Sequence, residues 1–229
     1  MKVGTDGVLL GAWAASGTEA ARVGSVLDIG TGTGLIALMM AQRFPHAQVV
    51  GIDIDKDAAE QAVENVTNSP FGQNINILHK SLQELVEEQG NGDNDAGNRK
   101  TFDVIVCNPP FFDNSLTCPD PKRTTARHNS TLPFSTLMKG ARTLLADEGC
   151  LSLVIPSECR QKIEDEAIFA GMTLTKRTAV ITKEGKKTKR FLLEFTPKGR
   201  TMEEAVLSLE SDEYRLLTAD FYLSKAEKS

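Results

Sequence analysis

The amino-acid sequence predicts an α/β protein built on a doubly wound, mostly parallel seven-stranded sheet with an antiparallel last strand. Short apolar runs rich in Val, Ile and Leu alternate with stretches that carry apolar residues at helical spacing. The runs are apolar almost throughout, as in strands that helices cover on both faces. Two further runs near the end of the chain are joined by a short charged segment, which indicates an antiparallel pair.

The residues place each element in turn. The predicted parallel strands are residues 25–30, 47–55, 75–80, 102–107 and 150–156. The predicted helices are residues 35–44, 55–68, 81–89, 134–147 and 158–169. The antiparallel pair is residues 172–182 and 189–197, and residues 205–223 are predicted to add a strand and a short helix. The polar, Gly- and Asn-rich stretch 90–100 is predicted to be a disordered loop within a single domain over 1–229, on which 200–229 packs as a C-terminal extension.

Composition and charge narrow the class of protein. Of 229 residues, 40% are hydrophobic and 25% charged, which is typical of a globular domain. No apolar run in the sequence approaches the length of a membrane span, and Asp6 precedes the short apolar run near the start, which argues against a secretion signal. The four cysteines form no C-x-x-C pair, so we expect reduced thiols, a cytoplasmic protein and no metal site.

A glycine-rich turn follows the first predicted strand. The strand ends near Asp28, and Gly30, Gly32 and Gly34 then alternate before a helix. Glycines allow a sharp turn and the close approach of a ligand, and the free amides of the helix N-terminus favour a polar or anionic group. This loop therefore indicates a binding site at the carboxyl edge of the sheet.

Two aspartates follow the second predicted strand. Asp55 precedes a helical pattern and is expected to cap that helix. Asp53 is the better candidate to accept hydrogen bonds from two ribose hydroxyls, which indicates an adenosine-type cofactor. Residues 32–37 also fit the G-x-G-x-x-A fingerprint of NAD enzymes, so these features alone do not choose the cofactor.

A second motif, Asn108-Pro109-Pro110-Phe111, follows the fourth predicted strand and lies at the same sheet edge. Together with the D-x-G-x-G-x-G stretch 28–34, it resembles the S-adenosylmethionine-dependent amino-methyltransferases. In that superfamily the first motif binds the cofactor and the second holds the amino group that is methylated. An NAD enzyme has no evident use for the second motif.

The resemblance explains the residue types of this loop. The Asn108 side-chain oxygen and the Pro109 carbonyl can each accept one N–H of a conjugated amino group, which turns its lone pair toward the methyl donor. The same dipoles stabilise the positive charge that develops on nitrogen. Prolines keep the carbonyls free and the loop stiff. Phe111, with Phe112 beside it, offers a face on which a flat substrate can stack.

Over nearly its full length the chain resembles the bacterial tRNA1(Val) adenine methyltransferase family, which modifies the adenine just 3′ of the anticodon. The stretches that carry the resemblance are MKVGTDGVLLGAW, LDIGTGTGLIALMMAQR, NPPFF, RTTARH, LLADEGCLSLVIP and the terminal FYL. It implies a Rossmann-like fold, S-adenosyl-L-methionine as cofactor and the anticodon stem-loop of a tRNA as partner. We expect a monomer. It also implies that relatives carry further residues ahead of the position of Met1.

The resemblance assigns roles to named residues. The implied catalytic residues are Asn108, Pro109, Pro110 and Phe111. The implied cofactor-binding residues are Lys2, Thr5, Asp6, Gly7, Asp28, Gly30, Thr31, Gly32, Gly34, Asp53, Ile54, Ser81, Leu82 and Asn108. Ser81 and Leu82 stand where many relatives place an acidic residue near the cofactor's adenine.

RNA binding needs a local basic surface, because the formal net charge is −5. Two clusters are candidates. One is Lys183, Lys186, Lys187, Lys189 and Arg190 on the predicted hairpin; the other is Lys122, Arg123, Arg127 and His128, just past the Asn-Pro-Pro-Phe loop. An anticodon loop is single-stranded, so its target base can be turned out at modest cost.

Three other functions remain open at this point. A protein glutamine methyltransferase of the release-factor type uses the same catalytic loop. An NAD(P)-binding oxidoreductase is supported only by the G-x-G-x-x-A match. An inactive, methyltransferase-like RNA-binding module is the third, and the presence of Asn108 and Asp53 argues against it.

Overall fold

A computed structural model describes residues 4–91, 101–109 and 132–222. The strands are β1 Ser25–Ile29, β2 Gln48–Asp53, β3 Ile75–His79, β4 Phe102–Cys107, β5 Leu145–Pro156, β6 Thr173–Ile181, β7 Arg190–Thr196 and β8 Glu203–Ser208. The helices are α1 Thr5–Trp13, α2 Leu35–Arg43, α3 Lys56–Thr67, α4 Leu82–Asn91, α5 Phe134–Leu144, α6 Arg160–Phe169 and α7 Asp212–Thr218. The predicted loop over 90–100 lies outside the described ranges except for its first two residues, which end α4.

All of these strands belong to one sheet, in the order β3-β2-β1-β4-β5-β7-β6-β8. Strands β1 to β5 are parallel to one another, and β7 runs antiparallel to both of its neighbours, β5 and β6. The predicted α/β class, the mostly parallel sheet and the antiparallel pair are confirmed. The predicted count of seven strands is one too low, because β8 adds to β6 as an eighth, parallel strand.

The fifth parallel strand begins earlier than predicted, and the helix before it ends earlier. The sequence pattern extends that helix over 145–147, but α5 ends at Leu144 and β5 begins at once. Phe102 pairs with Leu145 and Val104 with Cys150, so the strand bulges between these two pairs. A side chain at Gly149 would lie 2.9 Å from the carbonyl oxygens of Phe102 and Asp103, which explains the glycine.

Helices cover both faces of the sheet, and alternate residues of each strand point to opposite faces. On β4, Val104 and Val106 belong to a core with Leu9 of α1 and Met40 of α2. Ile105 and Cys107 belong to the opposite core, whose helical residues include Leu85, Leu137 and Ile163. Burial on both faces is why the strands are apolar almost throughout.

The first helix is absent from the sequence-based prediction. Every residue from Gly7 to Trp13 is buried, so α1 shows no polar face and no helical alternation. A Cβ on Gly7 would lie 3.2 Å from Leu35, and one on Gly11 would lie 2.5 Å from the Met39 sulphur. These glycines let α1 pack directly against α2, and the first turn of α1 therefore lies beside the start of α2.

The chain returns to α1 after the sheet. Ser211 caps α7 by accepting a hydrogen bond from the Tyr214 amide at 3.2 Å. Leu217 of α7 and Phe221 pack against a small cluster that includes Val8 and Ala12 of α1. The interpretation of 1–229 as one domain, with 200–229 as an extension, stays a prediction.

Candidate active site

Three predicted site segments leave adjacent strands at the same level. Ile29, the last residue of β1, pairs with Ile52 on one side and with Cys107 on the other. Gly30, Asp53 and Asn108 are the residues that follow these three positions. The glycine loop, the β2 carboxylate and the Asn-Pro-Pro-Phe motif thus start side by side at the carboxyl edge of the sheet, where open α/β sheets bind ligands.

The glycine loop has the backbone conformation that its residues predict. Gly30, Gly32 and Gly34 have φ values of +71°, +57° and +80°, in the left-handed region. The Gly30 and Thr31 amides donate to the Ile52 carbonyl at 2.9 and 3.0 Å, which fastens the loop to β2. A Cβ at Gly30 or Gly32 would meet nothing within 4 Å, so open space lies beside the turn.

A buried carboxyl group lies beneath the loop. One oxygen of Asp28 accepts hydrogen bonds from the Thr31 hydroxyl at 2.7 Å and from the Ala37 amide at 3.1 Å. Burial, opposed by these hydrogen bonds, raises the pKa of Asp28 to about 7. Its second oxygen, Oδ1, is buried and has no hydrogen-bond partner among the described residues. Asp28 therefore holds the loop from beneath through Thr31 and the start of α2 through Ala37.

Asp53 holds the loop and retains acceptor capacity. One carboxylate oxygen accepts from the Gly32 amide at 2.8 Å and the other from the Asp55 amide at 2.9 Å. Each carboxyl oxygen can accept a second hydrogen bond, and the side chain is only half-buried. Asp55 caps α3 as predicted, accepting from the Asp57 and Ala58 amides at 3.0 and 3.3 Å.

An exposed apolar side chain adjoins Asp53. Ile54 is 49% exposed, although it is a large hydrophobic residue. Its carbonyl lies 3.1 Å from His79 Nε2 at the end of β3, and such a contact requires the imidazole proton on Nε2. His79 thus fixes the segment that carries Ile54, a role that sequence reasoning missed because no motif marks it.

Two of the predicted cofactor-binding residues, Ser81 and Leu82, lie at the start of α4. Ser81 begins α4 with a capping box: its amide and hydroxyl donate to the Glu84 carboxylate at 2.8 and 2.7 Å, and the Glu84 amide donates back at 3.2 Å. Leu82 is buried in the core, where its side chain fills the space beside Gly140. The polar atoms of Ser81 therefore serve the helix, and the Leu82 side chain faces the core rather than the edge.

The first turn of α1 also reaches this edge. Gly7 packs against Leu35, the residue directly after Gly34. Asp6 accepts a hydrogen bond from Arg190 Nε at 2.9 Å, although Arg190 was predicted to contact RNA. Thr5 is exposed. No spacing rule links residues 6 and 190, so the sequence contained no signal for this ion pair.

The motif after β4 is described only at its start. Asn108 is half-buried and Pro109 is buried at the sheet edge. The remaining predicted residues after β4 lie outside the described residues, as does Lys2 near the start of the chain; those after β4 are Pro110, Phe111, Phe112, Lys122, Arg123, Arg127 and His128.

The predicted basic hairpin joins β6 and β7. Arg190 pairs with Pro156 at the end of β5, so the hairpin extends beyond the carboxyl edge where Asn108 lies. The Ser157 amide donates to the Lys189 carbonyl at 3.2 Å, which ties the base of the hairpin to that edge. The four lysines of the hairpin are exposed; they are Lys183, Lys186, Lys187 and Lys189, called the hairpin lysines below.

The described ranges lack two kinds of feature. No group of three or more His, Cys, Asp or Glu side chains within residues 4–91, 101–109 and 132–222 is placed to hold a metal ion. In the same ranges, no helix has both the length and the apolar character needed to cross a membrane.

The described residues fit an adenosine-type methyl donor. The open side of the glycine turn admits a ligand against the backbone, the carboxylate of Asp53 can accept from ribose hydroxyls, and Ile54 presents an exposed apolar surface to a flat ring. An adenosine-type cofactor carries donors and an apolar ring that match this set.

Comparison with known proteins identifies the family. Residues 14–182 match the methyltransferase small domain family. A relative from Bacteroides fragilis, named tRNA1(Val) (adenine(37)-N6)-methyltransferase, is 43% identical over 229 residues, covering 97% of this chain and 91% of the relative. A relative of the same name from Parabacteroides distasonis is 44% identical over 231 residues, with the same coverage of each.

Solved structures share the fold. A predicted O-methyltransferase from Agrobacterium tumefaciens has a TM-score of 0.68 at 19% identity, covering 94% of this chain and 96% of that one. Together with the family match, this confirms the predictions of a class I methyltransferase fold, of an enzyme, and of S-adenosyl-L-methionine as the cofactor. By sequence, the chain belongs to the tRNA1(Val) (adenine(37)-N6)-methyltransferase family.

Proposed function

We propose that this protein methylates the exocyclic amino group of adenine 37 in tRNA1(Val), the reaction that its relatives' name states. The observation that carries the proposal is that Gly30, Asp53 and Asn108 lie side by side at the carboxyl ends of the adjacent strands β1, β2 and β4. A cofactor held by the first two lies next to an amide that can bind an amino group. The proposal also places the protein in the cytoplasm, as a monomer.

The cofactor supplies a methyl group on a positively charged sulphur. The glycine loop offers open backbone beside Gly30 and Gly32, and Asp53 offers acceptors for ribose hydroxyls. Since Asp53 also accepts from the Gly32 amide, one carboxylate both shapes the loop and binds the ligand. Ile54, held by His79, provides an apolar contact for the adenine ring.

Asn108 orients the substrate nitrogen. Its side-chain oxygen and the Pro109 carbonyl each accept one N–H of the adenine amino group, which turns the nitrogen lone pair toward the methyl carbon. The bound cofactor would supply the methyl group to this lone pair and would leave as the neutral sulphide. The nitrogen then releases one proton to water, and the two acceptor dipoles stabilise its transient positive charge.

The hairpin lysines supply the positive surface for RNA. They project beyond the carboxyl edge that carries Asn108, so an anticodon stem held by its phosphates can deliver a loop base to that edge. The second basic cluster, Lys122 to His128, begins 11 residues after Phe111 of the catalytic motif and is proposed to contact the same loop. Because the target loop is single-stranded, its adenine can be turned out into the site.

A panel of substrates tests the proposal. The protein is incubated with methyl-labelled S-adenosyl-L-methionine and, separately, with unmodified tRNA, duplex DNA or release factor. We expect label in tRNA, recovered as N6-methyladenosine after digestion to nucleosides. Label in release factor alone would instead assign the glutamine methyltransferase, which uses the same Asn-Pro-Pro-Phe loop. Label in DNA alone would contradict the proposal as well.

A further inference from the structure

Arg190 differs from the other basic residues of the hairpin. The four hairpin lysines are exposed, whereas the Arg190 guanidinium donates from Nε to Asp6 at 2.9 Å and from a terminal nitrogen to the Lys189 carbonyl at 3.0 Å. The side chains of Arg190 and Asp6 are 37% and 32% exposed, so the pair is partly shielded from solvent. The positive charge of Arg190 therefore faces α1 rather than bulk solvent.

The backbone at Arg190 is firmly placed. Arg190 pairs with Pro156 of β5 on one side and with Val180 of β6 on the other. The preceding residue, Lys189, donates its amide to the Val180 carbonyl at 3.1 Å and accepts from the Ser157 amide at 3.2 Å. Arg190 therefore extends from a fixed point of the sheet.

The first turn of α1 has little local support. Its N-cap residue is Gly4, which has no side chain to accept from the free amides of the turn, and the Val8 amide lies 3.4 Å from the Gly4 carbonyl. The turn is nevertheless in contact with the glycine loop, because Gly7 packs on Leu35, directly after Gly34. A displacement of this turn would therefore reach the start of α2 and the loop.

We infer that Arg190 is a positioning residue for the cofactor site, acting through Asp6 rather than by contact with RNA. The ion pair fixes the first turn of α1 against the glycine loop, so that the loop is ordered before the cofactor binds. This inference rests on the proposed location of the cofactor site. It replaces the RNA-binding role that the sequence predicted for Arg190 and leaves that role to the hairpin lysines.

Titration calorimetry with S-adenosyl-L-methionine, in the absence of RNA, tests the inference. Arg190→Gln should raise the cofactor Kd two- to fivefold, the range expected from losing one half-exposed ion pair. Arg200→Gln is the matched control: it removes an arginine from a comparable exposed pair with Glu148, next to the amino-terminal end of β5, and should leave the Kd unchanged. The single variant Asp6→Asn and the double variant Asp6→Asn, Arg190→Gln complete the comparison. Because both residues act through one ion pair, the double variant should raise the Kd no more than the single variant with the larger effect.

Two further readouts separate positioning from a general loss of structure. Raising the salt concentration should narrow the gap between wild type and Arg190→Gln, since salt screens the ion pair. Hydrogen exchange of a peptide covering residues 4–13 should accelerate in Arg190→Gln, whereas peptides from β4 and β5 should not change.

The opposite pattern would overturn the inference. An Arg190→Gln protein with wild-type cofactor affinity and wild-type exchange in residues 4–13, but with a raised KM for tRNA, would return Arg190 to the RNA surface. Failure of the proposed function is distinguishable, because it would appear as wild-type protein that binds the cofactor and does not methylate tRNA.

Discussion

The two halves of the sheet contribute to the site by different means. The parallel half, β3-β2-β1-β4, builds its part from backbone: three glycines with positive φ, a loop bonded to the Ile52 carbonyl, and carboxylates that accept from amides. The half formed by β7, β6 and β8 contributes side-chain charge on a hairpin. Backbone geometry selects one ligand shape, whereas exposed lysines suit a large polyanion. Cofactor binding and RNA binding should therefore respond to different substitutions.

The largest effect should come from Asn108, directly after β4 of the parallel half. Asn108→Ala removes one of two acceptors that stabilise charge on the substrate nitrogen. We expect kcat to fall by about 100- to 1,000-fold, while the cofactor Kd stays within about twofold. Single-turnover methylation and calorimetry measure the two quantities. Asn76→Ala, an exposed asparagine on β3, is the matched control and should retain full activity. Full activity in Asn108→Ala would contradict the proposed mechanism.

A stability measurement against pH probes the buried carboxyl of the parallel half. Burial raises the pKa of Asp28 to about 7 from an ordinary value of 3.8. Between those values the folded protein keeps a proton that the unfolded chain has released, so raising the pH favours unfolding. The free energy of unfolding of wild type relative to Asp28→Asn should therefore fall by a few kcal/mol from about pH 4 to pH 7, and then level off.

Urea unfolding of both proteins at several pH values measures this difference. The Asp28→Asn variant removes only this titration and so cancels the contribution of other buried carboxyls, such as Glu194, whose pKa burial also raises. If the free energy of unfolding changed with pH by the same amount in both proteins, the pKa of Asp28 would not be raised by folding.

Two neighbouring aspartates allow a sharper comparison within the parallel half. Asp53→Ala should weaken cofactor binding by about 10- to 100-fold, because it removes charged acceptors from both the ligand and the Gly32 amide. Asp55→Ala removes the cap of α3 and should cost about 1 kcal/mol of stability with little effect on the cofactor Kd. Calorimetry and thermal unfolding separate the two outcomes. Equal losses of affinity in both variants would deny Asp53 a direct role.

The smallest effect should come from the hairpin lysines. Lys186→Gln with Lys187→Gln should raise the KM for tRNA by about 3- to 10-fold, weaken its salt dependence, and leave the cofactor Kd unchanged. Steady-state methylation at two salt concentrations measures this. A tRNA KM that does not change would exclude this face as the RNA surface.

Local signals predicted much of this structure, and long-range contacts account for what they missed. The alternating glycines and the cap at Asp55 depend on adjacent residues, so the sequence showed them. Strand Glu203–Ser208 was predicted as a segment, but its place beside β6 depends on an edge that only the assembled sheet offers. Helix α1 was missed because it is buried on all sides, and the bulge at Gly149 because it depends on two carbonyls of β4.

Site residues followed the same rule. The motifs predicted that Gly30, Asp53 and Asn108 lie at one edge of the sheet, because the carboxyl ends of parallel strands lie at the same edge. Ser81 and Leu82 were assigned by resemblance alone, yet the Ser81-Leu82-Gln83-Glu84 pattern is a capping box that the sequence itself displays. The link from Arg190 to Asp6 joins residues 184 positions apart and has no sequence signature.

The most direct test is to locate the methyl group itself. Unmodified tRNA1(Val) is methylated with the wild-type protein and, in parallel, with Asn108→Ala; nuclease fragments are then sequenced by mass spectrometry. We expect one methyl group, on the amino nitrogen of adenine 37, with wild type and almost none with the variant. A methyl group at another base, or equal methylation by both proteins, would contradict the claim that Asn108 presents this adenine to the cofactor at the carboxyl edge.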